Sequence, residues 1–264
     1  VTSIIRWFDN LNYPHPKLPE CIAIDELRGN AGGEKFQCNI ADPVKHRVID
    51  ILPSRNMENL CKHFLEYPYK ERAAVKKIIM DLSTLFSSVA KSMFPEVKIV
   101  ADKFHVIRAV INSLENVRKR IQKEFHATKR KWFKRSRYLL LKPEYKLTSE
   151  DKTELARMLN SSYDLEKAYV LKERFYEVFR KQTRTEAKKE LGKWLLLAAD
   201  LSLPEFQHCI TTFSNWKTEI ANIIGERVSN GFIEGSNNKI KVLKRISYGV
   251  QNFDRFRNRI LYLQ

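Results

Sequence analysis

Three acidic residues stand where carboxylates could carry metal-dependent chemistry. Asp25 follows an apolar run at residues 21–24, Asp81 follows another at 75–80, and Glu234 lies in a helical segment near the end of the chain. Hard oxygen ligands of this kind suit Mg²⁺. Two such ions a few ångströms apart activate a water or a 3′-hydroxyl and stabilise the leaving oxygen when a phosphodiester is displaced. Taken singly, each acid also has an ordinary explanation, because an aspartate after a strand often caps a helix or a turn and most helical glutamates are solvated.

A second group of polar residues could support such a site. Asp102 ends another predicted strand and is followed three residues later by His105. This histidine could donate a hydrogen bond to a scissile phosphate, or it could simply pack against the sheet. Asn230 and Asn238 lie close to Glu234 and could orient it through hydrogen bonds, or they could cap and pack the helix. The spacing alone leaves both alternatives open.

The charge of the chain predicts a polyanionic partner. The 48 lysines and arginines outnumber the 31 aspartates and glutamates, which gives a formal net charge of +17 and a pI of about 9.7. Nucleic acid is the commonest polyanion that such a protein meets, and an acidic membrane surface is the alternative. The sequence contains no run of 18 apolar residues, so it offers no segment suited to span a bilayer.

A basic run between Arg118 and Arg137 contains only one acidic residue and includes interleaved aromatic residues. Basic side chains neutralise phosphates and aromatic rings stack on exposed bases, so the run indicates DNA contact. The alternative is a solvated helix face whose aromatic residues belong to the core. A second basic group follows Glu234. The predicted DNA-binding residues are Lys129, Arg130, Lys131, Lys134, Arg135, Arg137, Lys239, Lys241, Lys244 and Arg245.

Short apolar segments predict the strands that hold these residues. The segments cover residues 21–24, 34–40, 47–52, 75–80 and 98–101. Helices are predicted over residues 56–64, after the N-cap Ser83, after Asp102, over 230–244 and over 253–263. Three adjacent strands followed by alternating helices and strands predict an α/β fold, with a mixed five-stranded sheet and helices on its faces.

The chain is predicted to divide into four stretches. Residues 1–19, with helical spacing at their start and three prolines after it, are expected to be the end of a preceding domain and a linker, with further sequence upstream. The α/β core is expected over residues 20–111 and again over 226–264. Residues 112–225 show helical periodicity and almost no strand signal, which predicts an all-α insertion. The four cysteines have no metal-binding spacing and are expected to be reduced core thiols of a cytosolic protein.

Three stretches of the sequence resemble the DDE transposases of the ISL3 group of insertion sequences, which are relatives of the Mutator-type transposases. They are residues 24–26, residues 80–108 and residues 229–253. The resemblance covers nearly the whole chain, and its last two stretches are quite specific. Residues 27–33 depart from the family pattern, because they replace its more usual basic segment.

The resemblance implies a ribonuclease-H-like fold with a helical insertion and a DDE triad of Asp25, Asp81 and Glu234. It implies two Mg²⁺ ions as cofactors, with Mn²⁺ as a substitute, and places Asp102 where relatives have Cys or Asp, as a supporting residue. A catalytic contribution from His105 belongs to the same expectation.

The function that follows from the resemblance is a transposase that cuts and joins DNA. Its expected partners are double-stranded transposon ends and target DNA, bound by a homodimer, and its expected location is the bacterial cytoplasm, on the nucleoid. Residues 1–10 resemble the end of a helix-turn-helix. The alternatives are a non-catalytic DNA-binding protein derived from a transposase and another ribonuclease-H-like nuclease.

Overall fold

The computed structural model describes residues 7–29, 33–226, 228, 230–247 and 250–263. The chain divides into two compact units. The first comprises the residues up to Asp102 and those from Glu226 onward, and the second comprises Lys103–Gly225. The helical spacing predicted around Ile4 and Ile5 lies outside the described residues.

The first unit is built on a five-stranded mixed sheet with the strand order β3-β2-β1-β4-β5. β1, β2 and β3 form an antiparallel meander, whereas β4 pairs in parallel with β1, and β5 pairs in parallel with β4. The α/β fold with a mixed five-stranded sheet that the sequence predicted is confirmed. The strands are β1 (Cys21–Arg28), β2 (Phe36–Asp42), β3 (Arg47–Leu52), β4 (Lys77–Met80) and β5 (Lys98–Ala101).

The first strand is longer than its apolar run predicted. Asp25 was expected at the carboxyl end of a strand, but β1 continues to Arg28. The strand continues because β2 still supplies hydrogen-bonding partners there, and Asp25 pairs with Asn39. The pairing of β1 with β4 ends one residue earlier, at Ile24. Asp25 therefore follows the end of the parallel part of β1, and the strand itself ends later.

Helices begin after the third strand and alternate with the remaining strands. Asn56 caps the first of them by accepting a hydrogen bond from the backbone N–H of Asn59, and Ser83 caps the third, as its position predicted. In chain order the helices are α1 (Met57–Leu65), α2 (Tyr69–Ala74), α3 (Thr84–Met93), α4 (Lys103–Gln122), α5 (Ala127–Arg135), α6 (Arg137–Leu141), α7 (Ser149–Leu159), α8 (Tyr163–Tyr176), α9 (Arg184–Leu201), α10 (Gln207–Asn215), α11 (Lys217–Ala221), α12 (Gly231–Ile246) and α13 (Phe253–Tyr262). The short helix α2 was not predicted, because it buries none of its residues and so shows no apolar periodicity.

One face of the sheet carries α12. Alternate residues of β1, among them Ala23 and Leu27, point to this face. Ile233 of α12 belongs to the same buried cluster as Ala23, and Ile240, seven residues later, belongs to the same buried cluster as Leu27. Burial of each of the larger side chains, Leu27, Ile233 and Ile240, contributes about 1.5–3 kcal/mol. The two contacts hold the first half of α12 along β1.

The second unit consists of helices throughout its length, and its core is aromatic. The ring of Phe175 stacks on Phe213 with centroids 5.3 Å apart and meets Trp194 edge-on at 5.0 Å. Capping boxes at Thr148 and Thr183 begin α7 and α9. The unit starts at Lys103, and its first helix, α4, runs unbroken to Gln122. None of the helices in the described ranges is long and apolar enough to cross a bilayer.

Candidate active site

Three aspartates form a row across the neighbouring strands β1, β4 and β5. In both strand pairs, the parallel pairing ends at the residue just before each aspartate. Asp25, Asp81 and Asp102 therefore occupy equivalent positions in adjacent strands, which lie about 4.8 Å apart. One carboxylate oxygen of Asp81 lies within 4.8 Å of one of Asp102. Asp25 and Asp102 are buried and Asp81 is half-buried, so the row lies at the carboxyl ends of the parallel strands and is partly screened from water.

Buried amides hold Asp25 in place. Nδ2 of Asn237, on α12, donates a hydrogen bond to Oδ2 of Asp25 at 2.7 Å. Oδ1 of Asn237 accepts a hydrogen bond of 2.7 Å from Nδ2 of Asn39, which is the cross-strand neighbour of Asp25 on β2. The other carboxylate oxygen of Asp25 accepts the backbone N–H of Glu26 at 2.8 Å. Hydrogen bonds to a carboxylate are about twice as strong as those between neutral groups, so this network fixes the orientation of the Asp25 side chain.

Asn230 contacts the opposite end of the row. Its Nδ2 donates a hydrogen bond of 3.4 Å to Oδ2 of Asp102, and both residues are buried. Asn230 is the N-cap residue of α12, and its backbone carbonyl accepts the N–H of Glu234 at 3.1 Å. The first half of α12 thus runs from the end of β5 to β1 and crosses the row of aspartates.

The geometry of α12 positions Glu234 between these two contacts. Asn230, Glu234 and Asn237 follow one another at intervals of four and three residues, so they share one side of the helix. Seven residues of helix rise about 10.5 Å, which is close to the roughly 9.6 Å between β1 and β5. Because Asn230 reaches Asp102 and Asn237 reaches Asp25, the position of Glu234 falls near the middle of the row. Glu234 is exposed, so its carboxylate has access to solvent.

The atoms along the row that could bind a metal are carboxylate oxygens, and these are the ligands that Mg²⁺ prefers. Within the described ranges, no cluster of three ligand atoms mutually within 4.8 Å includes Asp25 or Glu234. The wide spacing of these carboxylates is compatible with a site for two ions. Two ions about 3.5–4 Å apart are bound by carboxylates on opposite sides of the pair, and those carboxylates then lie apart from one another. The residues present therefore fit a pair of hard divalent cations.

The amide that reaches the row is Asn237, whereas Asn238 is exposed. Asn238 lines an apolar groove beside Phe232 and Leu243, away from the hydrogen-bond network of Asp25. The helical period explains the difference, since adjacent residues of a helix point about 100° apart. Asn39 was missing from the predicted site. The sequence could have indicated Asn39, because it is a polar residue inside a predicted strand.

Asp102 and His105 fall in different units. Asp102 directly follows the last strand of the sheet, whereas His105 lies half-buried in the first turn of α4 in the second unit. The catalytic role of His105 stays a prediction.

The basic residues of the second unit divide into exposed and internal side chains. The ammonium of Lys129 lies 4.0 Å from the ring centroid of Phe125, which partly covers it. Arg118, at the start of the basic run, is buried and bound to Glu115 at 2.8 Å. Arg137 is exposed but also bonds Glu115, at 2.7 Å. The predicted DNA-binding residues that are exposed here are Arg130, Lys131, Lys134, Arg135 and Arg137.

The aromatic residues of the basic run serve the fold more than its surface. Phe133 is fully buried, and the indole N–H of Trp132 donates a hydrogen bond to Glu154. Tyr138 is exposed, with its hydroxyl 3.3 Å from Asp151. The enclosed ring of Phe133 agrees with the alternative in which the aromatic residues of the run belong to the core.

The basic residues of α12 lie on the half of the helix beyond Asn237. Lys239, Lys241 and Arg245 are exposed, and Lys244 is half-buried. They follow the row of aspartates within three turns of the same helix, so a polyanion held near the row would meet their charges.

Glu226 joins the returning chain to the sheet, and the sequence did not reveal this role. Its carboxylate accepts a hydrogen bond of 2.8 Å from Lys77 and pairs with Lys98. The two lysines are register partners at the starts of β4 and β5. Burial raises the pKa of Glu226, but the hydrogen bonds from both lysines outweigh it and lower the pKa overall. The pair of lysines thus anchors the segment that leads into α12.

A mixed sheet of this order, with acids at the ends of its parallel strands and a helix crossing them, defines a ribonuclease-H-like α/β protein. A family model described as a transposase, of the DDE type and the ISL3 group, matches residues 22–260. The match spans most of the chain, so the chain belongs to the ISL3 family of DDE transposases. The resemblance stated from the sequence is confirmed.

Two curated relatives agree with the family. The transposase for insertion sequence element IS1001 of Bordetella parapertussis is 25% identical over 241 residues, which cover 90% of this chain and 59% of the relative. The transposase for IS1557 of Mycobacterium tuberculosis is 24% identical over 254 residues, covering 88% of this chain and 57% of the relative. A Lactococcus lactis protein named ATP-dependent protease is 36% identical over 94 residues, which cover 35% of this chain and 26% of that protein. The chain thus spans less than two thirds of the length of these relatives, and no solved structure matches it.

Proposed function

We propose that this protein catalyses Mg²⁺-dependent cleavage of DNA strands and their transfer to new DNA during transposition of an insertion sequence. The observation that supports the proposal is the row of aspartates crossed by α12. It combines Asp25 and Asp81 at equivalent positions of neighbouring strands with Glu234 on the helix above them. Family membership agrees with this assignment.

In this proposal Asp25, Asp81 and Glu234 hold two Mg²⁺ ions, which Mn²⁺ can replace. The ions supply the activation of water or of a 3′-hydroxyl and the stabilisation of the leaving oxygen. Asp25 sits at one end of the triad, and its hydrogen bond from Asn237 keeps its carboxylate oriented. Asp102, bound to Asn230, has a supporting role at the other end of the row.

The residues around the triad then position DNA. Exposed lysines and arginines of α12 hold the phosphate backbone next to the row, and those of α5 give the second unit a basic surface of its own. Such contacts position a duplex without reading its sequence. The proposed substrates are the double-stranded transposon ends and the target DNA, joined by a homodimer on the nucleoid.

The triad is tested by a strand-transfer assay with Mg²⁺ in the full-length protein, on DNA that carries the ends of the element. Asp25→Asn, Asp81→Asn and Glu234→Gln are each expected to abolish cleavage and retain DNA binding, because an amide keeps the shape of the side chain and loses the charge that binds Mg²⁺. Asp200→Asn, at an exposed position of α9, is the matched control and should cleave normally. Full cleavage by any triad variant would remove that residue from the triad. DNA binding without any wild-type cleavage would favour a non-catalytic DNA-binding protein.

The DNA surface on α5 is tested by the salt dependence of binding. Neutralising Lys131, Lys134 and Arg135 together should flatten the slope of log affinity against log salt by about 0.9 for each lost phosphate contact. A charge-matched control neutralises three exposed lysines of α9, which are Lys188, Lys189 and Lys193. Equal slopes for the two triple variants would mean that α5 does not face DNA.

A further inference from the structure

Two histidines and a glutamate cluster on the β3 side of the first unit. His15 belongs to the proline-rich segment at residues 12–19, His63 lies on α1, and Glu66 directly follows that helix. One ligand atom of each lies within 4.8 Å of the other two. Nε2 of His15 is 2.8 Å from Oε2 of Glu66, and the two imidazole rings are 5.3 Å apart. The three groups thus converge on one point from two separate segments of the chain.

His63 carries a buried ring nitrogen that the fold does not satisfy. The residue is only 6% exposed, and its Nε2 has no hydrogen-bond partner within the described part of the chain. Burial lowers the pKa of His63, which favours the neutral imidazole. Its Nδ1 faces Oδ2 of Asp50 at 3.7 Å. A proton on Nδ1, toward that carboxylate, leaves Nε2 with a lone pair that requires a donor or a cation.

Asp50 is placed to orient both imidazoles. Nδ1 of His15 lies 3.9 Å from the same Oδ2 of Asp50 that faces His63. The carboxylate of Asp50 is itself held by Arg257 of α13 and by the backbone N–H of Ile51 at 2.7 Å. The negative charge of Asp50 near Nδ1 of each ring favours a proton on that nitrogen, which leaves Nε2 of each ring to face an ion.

We propose that His15, His63 and Glu66 bind a zinc ion, with water as its fourth ligand. Two imidazoles and one carboxylate form a donor set that Zn²⁺ takes, whereas Mg²⁺ prefers oxygen alone. The ion pair between His15 and Glu66 can form without a metal, but it leaves Nε2 of His63 unexplained. The ion satisfies this nitrogen and joins the proline-rich segment to α1.

The zinc site is separate from the row of aspartates. His15 and Glu66 reach it from two separate segments of the chain, so the ion cross-links residue 15 to the end of α1. Through Asp50 and Arg257 the same cluster contacts α13. Zinc binding should therefore stabilise the first unit and leave the basic surface of α5 unaffected.

The test is a zinc titration of the full chain after treatment with a chelator, in buffer that contains excess Mg²⁺ to occupy the carboxylate row. Calorimetry gives the dissociation constant, thermal unfolding gives the change in Tm, and Co²⁺ absorption reports the ligands. His15→Ala and Glu66→Gln both change partly exposed residues, which favours normal folding of the variants. His208→Ala, an exposed histidine of the second unit, is the control.

The expected result is a single zinc equivalent that raises Tm in the wild type and in His208→Ala. His15→Ala and Glu66→Gln should each weaken zinc binding by at least about tenfold and lose most of the rise in Tm. Equal zinc affinity in all four proteins would overturn the proposal, because the ion would then bind elsewhere. Absence of wild-type binding would also overturn it and leave a buried water as the partner of His63. A sulfur-to-cobalt charge-transfer band would contradict the ligand set, since it would indicate that a cysteine binds the ion.

Discussion

Replacement of Asn237 by alanine tests whether its amide holds the row of aspartates. The change removes a hydrogen bond to the carboxylate of Asp25, worth about 1.5–3 kcal/mol, and one from Asn39, worth about 0.5–1.5 kcal/mol. The higher helix propensity of alanine returns up to about 0.7 kcal/mol. Asn237→Ala should therefore lower the free energy of unfolding by about 2–4 kcal/mol. At about 2–4 °C per kcal/mol for a chain of this size, Tm should fall by roughly 4–16 °C.

The neighbouring Asn238→Ala is a matched control, because Asn238 is exposed and makes no part of this network. Its effect should stay within about 0.5 kcal/mol. Both variants are measured by thermal unfolding, and both are titrated with Mg²⁺ in the cleavage assay. Asn237→Ala should also need about 10–100 times more Mg²⁺ if Asp25 binds the ion as proposed, since the partner that orients Asp25 has been removed. Equal Tm values and equal Mg²⁺ requirements for the two variants would refute the reasoning.

Three further changes probe other parts of the molecule. Glu226→Gln should lower the free energy of unfolding at neutral pH, and its difference from the wild type should shrink as the pH falls below 4.5. The reason is that the lowered pKa of the wild-type carboxyl confers stability that is lost when the carboxyl is protonated. Urea unfolding at several pH values measures this difference, and a difference independent of pH would contradict the prediction. Phe133→Ala should cost about 3–5 kcal/mol, against less than about 0.5 kcal/mol for the exposed Tyr138→Ala, and similar midpoints of urea unfolding would show that Phe133 is not a core residue. Asp102→Cys should retain measurable Mg²⁺-dependent cleavage whereas Asp81→Cys should have none, because sulfur is a poor ligand for Mg²⁺; complete loss in both variants would make Asp102 a metal ligand.

Much of the architecture could be predicted because it rests on local patterns. Strands β3 and β5 have the predicted bounds, since each is an apolar run that ends at a turn or an aspartate. Ser83 identified the start of α3 because an N-cap is a local hydrogen bond between a side chain and the next turn. The extension of β1 to Arg28 escaped prediction because it depends on β2, a partner strand supplied from another part of the sequence.

The candidate site was predictable in its residue types and less so in its connections. Asp25, Asp81 and Glu234 were named from the resemblance, since spacing alone could not separate catalytic acids from caps. The hydrogen bond from Asn237 to Asp25 joins residues from opposite ends of the chain, and its donor differs by one position from the predicted supporting residue, Asn238. One position along a helix turns a side chain by about 100°, so only the packing of α12 on β1 could decide which amide is buried.

The sequence by itself determined the α/β class, the basic charge and the family, because composition, periodicity and motif are properties of the chain in one dimension. The tertiary structure decided which of these residues meet. Strand register aligned three aspartates. Helix packing placed Asn237, and not Asn238, against Asp25. Phe133 and Arg118 are buried and so do not belong to the basic surface. Register and burial arise from contacts between residues distant in sequence. They can therefore be determined only when the positions of both partners are known.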